Sequence, residues 1–345
     1  MFHHKLTKIC LSLSLGAVFL LLFIFQLDLQ AVLENLRGMQ YQFLAPALLF
    51  YFLAFAVRVY RWQLILNPIS FLSFGQLASP LAVGYMANNL LPVRMGEIIR
   101  SYYLARKTSL SGISVLGTLI VERTFDGLTL ACLFMFSALA VPYTVEVHLF
   151  GEVQSLSAWL LSLVCSIPFV ISFVTIFGSA YSPRLRHKIQ VWIKLFLPRF
   201  IGCRLGQIFD RLVVGMISLL NLRTVSFLSI ASIAVWILES GVYYWLMRCF
   251  RLENSFDNLT IMLLACIAVT AISNLATALP TSQGGIGPFE FFATLTLLAF
   301  NVEVNLAGAY VVVLHLVLLA PITVLGLLVL WFDSFSLFRL NELRE

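Results

Sequence analysis

The chain has 345 residues, of which 61% are hydrophobic and only 11% are charged. A soluble domain has about a quarter of its residues charged, so this composition excludes an ordinary soluble protein. The net charge of +6 comes from basic residues in loops between apolar runs, which orientation in a membrane explains better than binding to nucleic acid. Since lipid offers no partner to unpaired backbone groups, we predict an all-α polytopic integral membrane protein, a single transmembrane domain over 1–345.

Apolar runs of near 20 residues recur along the chain, as a hydrocarbon core of about 30 Å requires. They lie at 9–27, 43–66, 112–141, 157–178, 224–247, 258–279 and 305–332. We predict six to eight spans in a bacterial cytoplasmic membrane, with the N-terminus in the cytoplasm. Arg58 and Arg61 close the second run and are expected to extend to the inner headgroups.

The segment 76–107 does not fit an ordinary span. If its apolar half crossed the membrane fully, the strongly basic loop 179–223 would lie outside, against the positive-inside rule. A re-entrant hairpin that turns at Leu91-Pro92 removes this conflict. Non-helical backbone at membrane depth is tolerated only where it is buried in protein or lines a cavity, so the hairpin predicts a cavity.

A second stretch, Ala278 to Glu290, repeats the order Leu-Pro, glycine, glutamate. It indicates another broken element over 272–300, although 258–279 could also cross the membrane outright. Breaks at matching places in two halves are typical of a weak inverted repeat with a binding site near the bilayer midplane.

The loop 179–223 mixes Trp192, Phe196 and Phe200 with many Lys and Arg residues. This pattern favours an amphipathic helix on the anionic inner leaflet. An ordinary basic connector explains it equally well.

Charged residues cluster next to the first break. Arg94, Glu97 and Arg100 are spaced by three and would share one helix face. Glu122, Arg123 and Asp126 follow within the next apolar run, where an isolated charge costs on the order of 3 kcal/mol. We predict one buried network of these six residues, with an arginine available to hold a phosphate. The alternative is that these charges lie at the wet membrane interface.

The glycine-rich stretch Thr281 to Gly287 could bind an anion through backbone N–H groups, ahead of a helix that begins near Pro288. A flexible turn without a ligand is the alternative. Glu239 and His315 are lone polar residues within spans, and we interpret His315 as a packing residue. The candidate substrate-binding residues are Asn88, Asn89, Pro92, Arg94, Gly96, Glu97, Arg100, Glu122, Arg123, Asp126, Pro280, Ser282, Gly284, Gly285, Gly287 and Glu290.

These positions resemble the family of the lysylphosphatidylglycerol synthase transmembrane region, whose members are also called flippase-like proteins. The similar positions run from Asn88 to Arg100, from Glu122 to Asp126 and from Leu279 to Glu290. The resemblance implies flipping of a lipid, and some stand-alone members of the family are linked to lipid-linked sugars. Pro288 departs from the pattern. Because the chain lacks the soluble aminoacyl-transferase domain of two-domain members, lysine transfer from tRNA is not implied.

Three functions compete on this basis. The first is a flippase for an anionic phospholipid or a polyprenyl-phosphate sugar, and not an enzyme. The second is a membrane-embedded transferase acting on a lipid carrier, with Glu122 or Asp126 as general base. The third is a non-catalytic subunit that recruits a lipid- or glycan-synthesis enzyme. The chain carries no ATP-binding loop, and its six scattered cysteines lack metal-ligand spacing, so we expect no cofactor and no metal.

Overall fold

A computed structural model describes residues 14–91, 95–141, 144–149, 152–196, 208–210, 212–213, 216, 221–278 and 283–333. It is an α-helical bundle with one short β-hairpin. The helices of the first half are α1 (Ser14–Ile24), α2 (Leu29–Arg37), α3 (Leu44–Leu66), α4 (Phe74–Leu90), α5 (Gly96–Lys107) and α6 (Gly112–Ala140). An antiparallel hairpin of β1 (Thr144–Leu149) and β2 (Glu152–Ser157) follows. The later helices are α7 (Ala158–Tyr181), α8 (Pro183–Phe196), α9 (Leu222–Cys249), α10 (Leu259–Ala276), α11 (Pro288–Ala299) and α12 (Val304–Phe332).

The protein is a multi-pass membrane protein. Within the described residues, five helices are long and apolar enough to cross a membrane, and a bent pair would make a sixth. That pair is α1 and α2, which meet at 79°. We expected a single span over 9–27, of which residues 9–13 lie outside the described part of the chain, whereas helix α1 ends at Ile24. Asp28 caps α2 by accepting from the backbone N–H groups of Gln30 and Ala31, so the chain changes direction there.

The predicted first hairpin is formed by α4 and α5. Ser73 and Gln76 start α4 with a reciprocal capping box, and the helix ends at Leu90. At 17 residues it is about 25 Å long. The two helices approach closely because both contribute glycine to the contact: a Cβ on Gly96 would lie 2.1 Å from the carbonyl oxygen of Gly84. The hairpin is therefore confirmed as a shape, and its re-entrant placement in a membrane stays a prediction.

This close approach gives a stability test. Replacing Gly96 with alanine is expected to destabilise the protein by about 1–3 kcal/mol, because the helices must separate to admit the methyl group. Gly75, also in α4, has no atom within 4 Å of the same built Cβ. Gly75→Ala is the matched control and should not lower stability, since alanine is the better helix former. Thermal unfolding in detergent compares the two, and equal melting temperatures would contradict the close packing of α4 and α5.

The two halves of the bundle correspond helix by helix. The series α3, α4, α5, α6 matches the series α9, α10, α11, α12, and the last helix of each series has 29 residues while the third has 12. Packing follows the same rule: α4 packs on α12 as α10 packs on α6. These pairings agree with a repeat of two halves, and its inverted orientation in a membrane stays a prediction.

The central pair of this repeat is α3 with α9, which run antiparallel. Phe43 near the start of α3 stacks on Trp245 near the end of α9, whereas Arg61 near the end of α3 bonds Ser232 in the first half of α9. Equivalent helices that are antiparallel are related by an axis perpendicular to them. In a membrane this axis lies in the bilayer plane, as in an inverted repeat.

Helix α7 stands outside this repeat. It packs on α6 and exposes Val164, Ile171 and Val174 among other apolar side chains, which is expected of a lipid-facing helix. Helix α8 follows within the basic segment, where we predicted an amphipathic helix. Its position on a leaflet stays a prediction.

Candidate functional site

A buried ionic cluster joins α3 to α6. Arg61 is completely buried, and its Nη1 atom lies 2.6 Å from Asp126 Oδ1 and 3.0 Å from Ser232 Oγ. Its Nη2 atom lies 3.7 Å from Glu122 Oε1. Asp126 also accepts from the indole N–H of Trp236 at 3.1 Å. The carboxylates of Glu122 and Asp126 therefore link α6 to α3 and α9.

Arg100 brings the first hairpin into the same cluster. Its Nη1 and Nη2 atoms each lie 3.0 Å from one carboxylate oxygen of Glu122, a bidentate pair. Its guanidinium also stacks 3.6 Å above the ring of Trp62, whose own N–H bonds Thr118. Helix α5 is thus held against α6 by the ion pair of Arg100 with Glu122, and against α3 by the cation–π contact with Trp62.

Arg123 is the third arginine of the cluster. Its Nη2 atom lies 2.8 Å from Glu122 and 3.3 Å from Asp126. Its side chain is 38% exposed, whereas Glu122 and Arg61 are completely buried. Within these direct contacts three guanidiniums face two carboxylates, so one positive charge is in excess, and Arg123 is the member that solvent or a ligand can reach.

A second ion pair lies beside the cluster. Arg58 Nη2 lies 2.7 Å from Glu239 Oε2, and both side chains are nearly buried. The Arg58 guanidinium also sits over the rings of Trp236 and Tyr85. The prediction that Arg58 and Arg61 extend to the headgroups is wrong, because both point inward to carboxylates on other helices.

These groups border a polar cavity of about 180 Å³ between the two halves. It is large enough for several waters or one small anionic group. Its charged and ionisable lining residues are Arg58, Tyr51, Tyr85, Arg123, Asp126, Glu239 and His315. Amides from both halves, Asn88, Asn89 and Asn274, reach the same space.

The second half contributes a buried histidine–carboxylate pair to this cavity. His315 is only 5% exposed, and its Nδ1 atom lies 2.5 Å from Glu290 Oε1. Its Nε2 atom lies 3.1 Å from the carbonyl oxygen of Gly284. Phe289 stacks on the imidazole at 4.1 Å. His315 is therefore a hydrogen-bonded and stacked residue, as expected of a packing histidine, and it also borders the polar cavity.

The predicted glycine-rich anion site has only part of the expected form. Gly284, Gly285 and Gly287 all have positive φ angles, of 64°, 79° and 102°, which glycine adopts most easily. The N–H of Gly287, however, donates to Glu290 Oε2 at 2.7 Å. That N–H is already occupied by the protein's own carboxylate.

An apolar cavity of about 610 Å³ lies on the other side of Arg123. Leu116, Ile120 and Phe169 line it, and Glu97 borders it together with Arg123. Glu97 accepts from Asn88 Nδ2 at 3.3 Å rather than from Arg100. Because Arg123 borders both cavities, it stands between a polar space and an apolar one.

The structure brings most of the predicted site residues together. Arg100, Glu122, Arg123 and Asp126 form the cluster. Four predicted residues lie outside the described part of the chain: Pro92, Arg94, Pro280 and Ser282. Of the others, Asn88, Asn89, Gly284 and Gly285 border the polar cavity and Glu97 borders the apolar one. Gly96 and Glu290 hydrogen-bond to the lining residues Asn88 and His315, and Gly287 hydrogen-bonds to Glu290.

The sequence reasoning missed Arg58 and Arg61 as members of the site, and it left Glu239 unpartnered. A comparison of the acidic and basic residues within the predicted spans would have indicated these pairings. Carboxylates within predicted spans need buried cations, and these two arginines are the basic residues of the preceding apolar run.

Comparison with known proteins places this arrangement in a family. The model of the family described as "Lysylphosphatidylglycerol synthase TM region" matches residues 9–326. The chain belongs to this family. The match includes the α4–α5 hairpin, α10, α11, the ionic cluster and most of α12, so the site described above lies within the matched region.

Several curated proteins from archaea are similar to this family member. A "UPF0104 membrane protein" of Methanothermobacter thermautotrophicus is 24% identical over 324 residues, covering 91% of this chain and 90% of the relative. A "UPF0104 membrane protein MJ1078" of Methanocaldococcus jannaschii is 23% identical over 240 residues, covering 69% and 90%. The "Glycosyltransferase AglD" of Haloferax volcanii is 22% identical over 333 residues, covering 91% of this chain but 52% of that protein.

Proposed function

We propose that the protein moves a lipid with a phosphate-bearing headgroup across the membrane, passing the headgroup through the polar cavity while the acyl or prenyl chains stay in lipid. The observation that carries this proposal is the excess guanidinium of Arg123. It is the one cluster arginine that combines partial exposure with a place between a polar cavity and an apolar cavity.

A phosphate group suits this position. Guanidinium binds phosphate through parallel hydrogen bonds, and a monoanionic phosphodiester would balance the cluster's excess charge. Glu97 borders the same opening, so a headgroup entering from the apolar cavity meets both a cation and a carboxylate. The inverted repeat provides the usual framework for exposing one central site to each side in turn.

Reconstituted protein tests the proposal directly. Liposomes containing labelled phosphatidylglycerol, a labelled polyprenyl-phosphate sugar and a labelled glycosyl diacylglycerol without phosphate are compared with protein-free liposomes. We expect movement of at least one phosphate-bearing lipid and none of the phosphate-free lipid. Equal movement of all three would contradict phosphate recognition, and no movement of any would contradict transport.

The relative named as a glycosyltransferase supports a second candidate function. The match covers 52% of that protein, so the similarity concerns about half of the named transferase. We infer that the alternative role is to present a lipid carrier to a separate sugar-transfer enzyme. Lipids from a strain lacking this protein separate the two candidates: an unmodified carrier accumulating in the leaflet of synthesis indicates transport, whereas absence of the glycosylated lipid indicates support of transfer.

A further inference from the structure

The repeat places His315 in the position that Arg123 occupies in the other half. Arg123 is the twelfth residue of α6, and His315 is the twelfth residue of α12, both helices having 29 residues. Each side chain borders the polar cavity. The first half therefore offers a cation with a permanent charge, and the second half offers one whose charge depends on a proton.

The contacts of His315 show how many protons the site holds. Its two ring nitrogens each face an acceptor, namely the Glu290 carboxylate and the Gly284 carbonyl. Each of these contacts needs one hydrogen. A neutral imidazole carries a single N–H, and Glu290 in its ionised form carries none. The pair must therefore hold one proton more than a neutral histidine beside a carboxylate.

We propose that the Glu290–His315 pair is a proton-binding site that couples proton movement to opening of the polar cavity. The coupling rests on the proposed lipid transport, whereas the proton site does not. When the pair loses its proton, the remaining N–H stays with the stronger acceptor, the carboxylate. The Nε2 lone pair then faces the Gly284 carbonyl, and the link between α12 and the turn Gln283–Gly285, here called the glycine turn, is lost.

The glycine turn lies where loss of the hydrogen bond from His315 Nε2 would affect the polar cavity. Gly284 and Gly285 border the polar cavity, and their positive φ angles belong to a backbone that non-glycine residues rarely adopt. The Nε2 contact ties this turn to the middle of α12. Releasing it frees the turn on the cavity side, while Gly287 remains bonded to Glu290.

Other groups around the cavity set the electrostatic surroundings of the pair. Glu290 comes from α11, and no charged residue lies within five positions of His315 on α12. The titratable and charged residues facing the shared cavity from α3, α4, α6 and α9 are Tyr51, Arg58, Tyr85, Arg123, Asp126 and Glu239. Among these, Arg58 is paired with Glu239, and Asp126 is held by arginines. Of the described residues at the cavity, the Glu290–His315 pair contains the histidine, the side chain whose charge ordinarily changes between pH 5 and 8.

The proton site can be tested without transport. Wild-type protein labelled with 15N-histidine in nanodiscs is titrated by NMR from pH 5 to 9, and His315→Gln identifies the signal among the five histidines of the chain. We expect one titration of His315 that changes or disappears in Glu290→Gln. His187→Gln, on the exposed side of α8, is the matched control and should leave it unchanged. A His315 signal that does not titrate overturns the proton site.

The coupling is tested in proteoliposomes holding labelled phosphatidylglycerol, with the membrane potential clamped. A gradient of one pH unit is expected to drive about tenfold accumulation in one leaflet if one proton moves per lipid. His315→Gln is expected to abolish this gradient-driven accumulation. Wild-type movement that ignores the gradient overturns the coupling and leaves the proposed function intact. Absence of any movement overturns the proposed function and the coupling together, while the NMR titration still decides the proton site.

Discussion

Replacing Arg123 with glutamine is expected to reduce lipid movement by about 10- to 100-fold, the loss expected when one charge-assisted interaction of about 1.5–3 kcal/mol is removed. The fold should survive, because the remaining charges of the cluster then balance: Arg61 and Arg100 against Glu122 and Asp126. The measurement is the initial rate of lipid movement in liposomes containing equal amounts of each protein.

Two further variants make this result specific to phosphate binding. Arg123→Lys keeps the charge but loses the planar pair of donors, so an intermediate rate is expected. Arg37→Gln, at the exposed end of α2, should leave the rate unchanged. Lipid movement by Arg123→Gln at the wild-type rate would show that headgroup passage does not depend on this guanidinium.

Replacing Glu122 with glutamine is expected to have the largest effect on stability. Glu122 is completely buried and lies within 3.0 Å of both Arg100 and Arg123. Neutralising it leaves three guanidiniums facing the single carboxylate of Asp126. Breaking a buried ion pair from one side costs about 3–5 kcal/mol, so we expect a lower melting temperature in detergent and a smaller fraction of monodisperse protein.

The chain provides a matched control for this substitution. Glu253 pairs with Arg248 at 3.2 Å, but both side chains are about one-third exposed, and such pairs contribute about 0–1 kcal/mol. Glu253→Gln should therefore have little effect. The double variant Glu122→Gln, Arg100→Gln returns the cluster to its original excess of one charge and should recover part of the stability. Equal effects of Glu122→Gln and Glu253→Gln would contradict the buried cluster.

The helices and both broken elements could be predicted from the sequence because their signals are local. The length of an apolar run, the interruption at Leu91-Pro92 and the glycines before Pro288 each act within a few residues. The charges of α6 could also be assigned to a buried network, since a cluster of unpaired charges within a span is costly.

The ion-pair partners of the charged residues of α6 could not be predicted from local sequence signals. Arg61 and Asp126 are 65 positions apart, and an arginine near the end of a span can extend to lipid or turn inward with equal ease. Only the packing of α3 against α6 and α9 decides between these directions. The partner of His315 could not be predicted for the same reason, because Glu290 lies on another helix and only the fold brings the two side chains within 2.5 Å.

The antiparallel packing of α3 on α9 has a mechanical consequence. An axis that relates two equivalent helices in contact must pass between them. The contact between α3 and α9 therefore moves least when one half rocks against the other. Exchanging the conformations of the two halves would then open the opposite side of the cavity without breaking the contact between α3 and α9. Arg58 and Glu239, which join these two helices, would keep their pairing in both states and act as the pivot.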